Sequence, residues 1–227
     1  MKMLKQILLV CLCLMMIGCT NTVKEDNKEE NKVVEKEEKK DEIKLKENDL
    51  YVSPLNPTKA QIKAYNELSD ALEKEDQKQE AKSVAISFVY DFFTLKNKDG
   101  RDDVGGLQFV PAKMIRSFTY YAQSYYYGNY PNIVNTYGKD SLPEVINVSV
   151  KSCEEQDLEF NYNWYNGYEI KLKVEYAKTK VTSLKEDITI QIIRMNDYDY
   201  DREFDYLDDY MNYELEMNEC YRILSLN

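Results

Sequence analysis

The sequence predicts an α+β domain in which N-terminal helices pack on one face of an antiparallel sheet. Apolar residues recur at helical spacing up to about residue 137, then alternate at period two from Val145 onward. Helices first and a run of strands afterwards is the order of an antiparallel sheet covered on one face, not of alternating βαβ units. The 227 residues suffice for one ordinary domain plus extensions but are short for two full ones. We divide the chain into an address (1–18), a charged tether (19–50), a hinge with an amphipathic helix (51–80) and the α+β domain proper (81–227).

The address comes first. Lys2 and Lys5 precede an apolar run of 11 residues, Ile7 to Ile17. A helix spanning a bilayer needs about 20 residues, so this is a signal peptide rather than a membrane span. The run ends in Met16-Ile17-Gly18-Cys19, which resembles a bacterial lipobox. That resemblance implies that Cys19 begins the mature chain, carries acyl groups such as palmitate, and anchors it outside the cytoplasm.

Thr20 to Asp49 holds eleven acids and eight lysines and almost nothing apolar to bury, so it reads as a solvated spacer. A flexible chain of this length reaches roughly 30 Å, which keeps the folded part close to the membrane. Pro54 and Pro57 then make residues 51–57 an extended hinge. Thr58 caps a helix whose stripe is Ile62, Tyr65, Leu68 and Leu72; the polar stretch Glu73–Glu80 leaves its continuation open.

Ala81, Val84, Ala85, Phe88, Phe92 and Leu95 form a second stripe, ended by Asn97-Lys98-Asp99-Gly100. In the loop that follows, the Gly105-Gly106 pair supplies positive φ or close backbone approach, and lacks the Lys-Ser/Thr of a phosphate loop. Leu107–Val110 is a strand candidate, Met114, Phe118, Tyr121, Ala122 and Tyr125 a third helical stripe, and residues 131–137 a short helix. Five strands are expected: 145–150, 158–164, 168–176, 188–192 and 219–226, with Asn166-Gly167 as a hairpin turn.

The helix from Val84 to Leu95, the tyrosine-rich helix after it and the final strand Cys220-Tyr221-Arg222-Ile223-Leu224 resemble the cystatin-like NTF2 superfamily over about residues 80–227. The resemblance implies a strongly curved sheet closing with the helices into a cone, often a ligand pocket. Some members are enzymes, which implies an Asp base beside a Tyr hydrogen-bond donor; Asp91 with a nearby tyrosine would be that pair here.

Composition narrows the function. There is no histidine, which excludes imidazole bases, His triads and His metal ligands, and a formal charge of −11 argues against nucleic acid. The chain reads as a non-catalytic interaction module with no cofactor. Tyrosine, with 20 copies, is the distinctive residue. Tyr120, Tyr125, Tyr126, Tyr127 and Tyr130 surround one helix end, and a helix cannot bury every side against one sheet. Tyr121 and Tyr125 share the apolar stripe and are expected in the core, Tyr120, Tyr126 and Tyr127 at the surface. Asp91 lies out of phase with its stripe and is expected in solvent.

Asp197, Asp199, Asp201 and Glu203 alternate with other residues in a segment continuing to Asp209. The spacing approaches a calcium loop, but Arg202 stands where that loop needs Gly and Asp208 where it needs a bidentate Glu, so no metal is assigned. Residues 151–227 carry nine bases against eighteen acids, which suits a protein partner with a basic surface. The alternative is a small molecule or cell-wall fragment held in a Tyr-lined pocket. Cys153 and Cys220 are either a disulfide, closing a loop worth roughly 4 kcal/mol, or two buried thiols.

Overall fold

The computed structural model describes residues 43–204, 206 and 216–227. The chain divides into a unit Met1–Asp41, outside the described residues together with Cys19, and a compact unit Glu42–Asn227. The described part is α+β: helices packed on a four-stranded antiparallel sheet.

Helix α1 (Lys59–Glu73) starts at a capping box, with Thr58 and Gln61 each accepting from the other's backbone N–H. It breaks at Glu75, whose φ is +53°, and Asp76 caps α2 (Gln77–Phe93) through the Gln79 N–H. Helix α3 (Ala112–Tyr125) and the short α4 (Tyr130–Tyr137) follow. The strands β1 (Val145–Phe160), β2 (Asn163–Tyr176), β3 (Asp187–Tyr198) and β4 (Met217–Leu226) form a meander in chain order. Val84, Ala85 and Phe88 on α2, Ile170, Leu172 and Val174 on β2 and Ile188, Ile190 and Ile192 on β3 are fully buried in the core between these layers.

The strand expectations need correction. The expected strand 145–150 continues as β1 to Phe160, with two bulges at 145–147 and 150–152, and the expected strand 158–164 straddles the turn, its Asn163 and Trp164 opening β2. The hairpin turn is Asn161-Tyr162, with φ of +52° and +63°, not Asn166-Gly167. Gly167 lies inside β2 because a Cβ there would sit 2.2 Å from the Ile192 carbonyl oxygen. The continuity of β1 leaves four strands among the described residues instead of five, and Leu107–Phe109, a further strand candidate, is a 3-10 turn.

The hinge is anchored. Tyr51 is buried; its hydroxyl donates to Glu80 at 2.8 Å and accepts the Tyr221 N–H at 2.9 Å, and its carbonyl accepts from the Tyr65 hydroxyl. The end of the expected tether also lies on the fold: Asn66 bonds the backbone of Lys44 and Lys46, and Asn48 donates to Ser69.

Burial pushes the Glu80 carboxyl above its ordinary 4.5, against the lowering effect of the Tyr51 hydroxyl. The folded state therefore binds this proton more tightly than the unfolded chain, and stability falls as pH rises from 4.5 through the raised value. Glu80→Gln keeps an acceptor for Tyr51 and removes the charge. It is expected to be more stable than the parent at pH 7, with the difference vanishing below pH 4.5 in urea titrations across pH. An equal difference at both pH values would sink this account.

Cys153 on β1 and Cys220 on β4 are free thiols, so the disulfide alternative fails. The strands that carry them are separated by β2 and β3, three steps of about 4.8 Å each along the sheet, while a disulfide spans Cα atoms less than about 7 Å apart. Burial pushes both thiols up, Cys220 to about 12.

Candidate functional site

Four donors hold Asp91, on the buried side of α2. Lys98 Nζ lies 2.7 Å from one oxygen, with Gln61 Nε2 at 3.4 Å; the Gly106 N–H at 2.8 Å and Gln108 Nε2 at 3.3 Å reach the other. The expectation of solvent exposure is wrong for Asp91, because Lys98 and the glycine loop fold back over it. Both roles foreseen for the glycine pair are realised. Gly106 has φ +79°, and a Cβ on Gly105 would lie 2.4 Å from the Asp91 carbonyl oxygen. The carboxylate positions a loop, and no tyrosine hydroxyl donates to it; the nearby Tyr127 hydroxyl donates to the Phe92 carbonyl.

Asp197 also leaves the surface set. It is buried, and one oxygen accepts both Arg222 Nε at 2.9 Å and the Ala112 N–H, the first of α3, at 3.0 Å. Arg222 Nη1 donates to the Gln108 carbonyl and Nη2 to the Tyr198 carbonyl, each at 3.1 Å. The pair ties β3, β4, the 3-10 turn and α3 together. Asp199 is half-buried and accepts from Asn218 at 2.9 Å. Only Asp201 and Glu203 are exposed, and Asp201 caps the Glu203 N–H at 2.9 Å. Asp205, Asp208 and Asp209 lie outside the described residues, and among the described ones no group of acids or cysteines is arranged to hold a metal.

Tyr120 is exposed as expected, but the other tyrosines depart from expectation. Tyr127 is fully buried, accepting the Gly105 N–H at 2.9 Å while donating to Phe92, and Tyr130 is buried with its hydroxyl on the Lys98 carbonyl. Tyr126 is half-buried, donates to the Phe93 carbonyl at 2.8 Å and stacks on Phe92. Tyr121 and Tyr125, placed in the core by periodicity, are 62% and 70% exposed, and Tyr120 is 69% exposed. Helix α3 docks through Ala112, Ile115 and Ala122, and the chain turns inward as a 3-10 turn at Tyr127–Asn129, which swings Tyr127 into the core.

The apolar stripe of α3 is real, but it borders open grooves. One groove of about 470 Å³ runs between Met114, Phe118, Tyr121 and Tyr125 of α3 and the end of β4, with Phe92 and Phe93 beneath. A second, of about 690 Å³, lies on the other side of the helix, among Tyr120, Tyr200 and Tyr206. Its lining, among the described residues, holds Lys113, Arg116 and Arg202 and no acid. Among the described residues, Lys113 and Arg116 have no acidic partner, while Arg202 donates to the Ser53 carbonyl. Tyr121 lines both grooves and stacks on Tyr125 with ring centroids 5.6 Å apart.

The chain matches no family model, and no curated protein or solved structure is significantly similar to it. Among the described residues no helix is long and apolar enough to cross a membrane.

Proposed function

We propose that the chain is a non-catalytic binding module, anchored by lipid at Cys19 on the extracytoplasmic face, that grips a partner protein along α3. The observation that carries this reading is the row Tyr120, Tyr121 and Tyr125, largely exposed on a helix with a groove on each side. Tyrosine brings a rigid apolar face and a hydroxyl at low entropy cost, and large exposed aromatics clustered beside an apolar groove mark interaction sites. Lys113 and Arg116, without an acidic partner among the described residues, set the partner's chemistry: an apolar segment flanked by acids. This reverses, at this surface, the basic partner that overall charge suggests, because the acids of 197–203 are partly consumed by Arg222 and Asn218.

A second reading is the Tyr-lined pocket for a small molecule. The 470 Å³ groove is in the size range of ligand pockets, and its walls are mainly apolar.

The test is photo-crosslinking from position 125 in the full lipoprotein in its membrane, with residues 1–50 alone as control. One protein should crosslink, and Tyr121→Ser with Tyr120→Ser, both exposed residues, should weaken its binding by about tenfold or more while leaving the thermal midpoint nearly unchanged. Binding that survives both changes would remove α3 from the interface. Saturable binding of a small apolar molecule, lost in the same variants and with no protein crosslinked, would favour the second reading.

A further inference from the structure

At the far end of α2 from the α3 grooves lies a cleft of about 620 Å³ that shares no lining residue with them. Gln77, its contribution from the start of α2, and Phe92 beneath the first groove are 15 residues apart, about 22 Å along the helix axis. The cleft follows the β1–β2 hairpin where β2 extends past the helices. Trp164 stands there with its indole 70% exposed. Asn166 lies two residues on and so shares its face, with Asp157 directly opposite on β1. Tyr168 continues the face about 13 Å from Trp164, and its ring meets that of Tyr221 with centroids 6.1 Å apart.

Arg194 completes the lining. Its guanidinium lies 5.8 Å from the Tyr221 ring centroid, and Nη2 is held at 3.1 Å by Glu219. Nη1 is covered by protein, so Arg194 walls the cleft without reaching into it.

We propose that this cleft binds a saccharide whose sugars are uncharged. A sugar ring has a face of C–H groups that packs on an exposed indole, and a rim of hydroxyls that each donate and accept. The cleft offers both complements: the Trp164 ring, with the Asn166 and Gln77 amides and the Asp157 carboxylate beside it. A trough 13 Å long accommodates more than one ring. The charge selects against sulfated or phosphorylated sugars. Glu219 is paired with Arg194 and Glu155 with Lys78, at 3.1 and 3.9 Å, which leaves Asp157 as the uncompensated charge among the described residues. These groups sit mainly on strands, with Gly167 locking β2 against β3, so the site is formed before ligand arrives.

Trp164 is the one tryptophan of the chain, so intrinsic fluorescence reports directly on this cleft. The full chain is titrated with cellotetraose, with chitotetraose and with a heparin-derived tetrasaccharide. A saturable change in emission is expected with at least one of the two neutral sugars and none with the sulfated one. By calorimetry, Trp164→Ala should lower the affinity by about tenfold or more and Trp164→Phe should retain most of it, since stacking rather than folding is removed. No saturable response to either neutral sugar at millimolar concentration overturns the proposal. So does binding confined to the sulfated sugar, or affinity unchanged in a folded Trp164→Ala. Because Trp164 lies outside the α3 grooves, partner crosslinking through α3 should persist in that variant whichever way the sugar titration falls.

Discussion

Replacing Arg222 with alanine is expected to lower stability by about 3–5 kcal/mol, the usual cost of stripping one partner from a buried ion pair. The side chain is 1% exposed, and its loss leaves the carbonyls of Gln108 and Tyr198 without that donor and the Asp197 carboxylate with the Ala112 N–H but no cation. Asp197→Ala should cost a similar amount, since it strands the guanidinium and also uncaps α3 at Ala112. The double replacement Asp197→Leu with Arg222→Met should recover a large part of the loss, because an apolar pair of similar volume needs no compensation. Urea unfolding measures all three: the midpoints should shift at constant slope. A loss below about 1 kcal/mol for Arg222→Ala would mean that water reaches the guanidinium, and the clasp described here would be wrong.

That clasp shows where the sequence stops being informative. Helices α1 and α2 are legible because their signals are local: a Thr cap, stripes at three- and four-residue spacing, turn residues at the end. The period-two run after Val145 is equally local, and so the α+β class follows from pattern alone. What fails needs a partner from elsewhere in the chain. Asp197 looks like one acid of a solvated series until Arg222, 25 residues on, meets it across the sheet. Asp91 is out of phase on its own helix and yet buried, because Lys98 and Gly106 come back to it.

The hairpin is misplaced for a related reason. Asn-Gly is the stronger turn signal, but Gly167 is needed where the β3 backbone passes too close for a Cβ, and the turn falls on Asn161-Tyr162 instead. Tyr121 and Tyr125 obey the helical period correctly; the period does not reveal that an open groove separates them from β4. Of the candidate surface, the tyrosine-rich helix was therefore visible in the sequence, but not which tyrosines face out. The Trp164 cleft was not visible, since its walls come from five segments between residues 77 and 221.

The second large effect is expected at the other carboxylate. Lys98→Ala should cost about 3–5 kcal/mol, because it leaves Asp91 charged and buried with only neutral donors. Lys98→Met, which refills the space but not the charge, should be nearly as costly, and that comparison separates electrostatics from packing. Asp91→Asn should also destabilise: it keeps an acceptor for the Gly106 N–H but leaves the Lys98 ammonium 3% exposed without a counter-charge. The local signature is hydrogen exchange. The Gly105 and Gly106 amides, held by the Tyr127 hydroxyl and the Asp91 carboxylate, should lose protection in Lys98→Ala well before the β2 and β3 amides do. If all amides lost protection together, the loop would not be a separable unit. If none did, the ion pair would contribute nothing to holding it. In either case Asp91 stays committed to neighbours that it cannot release without opening the glycine loop, so recognition falls to the exposed aromatic rings.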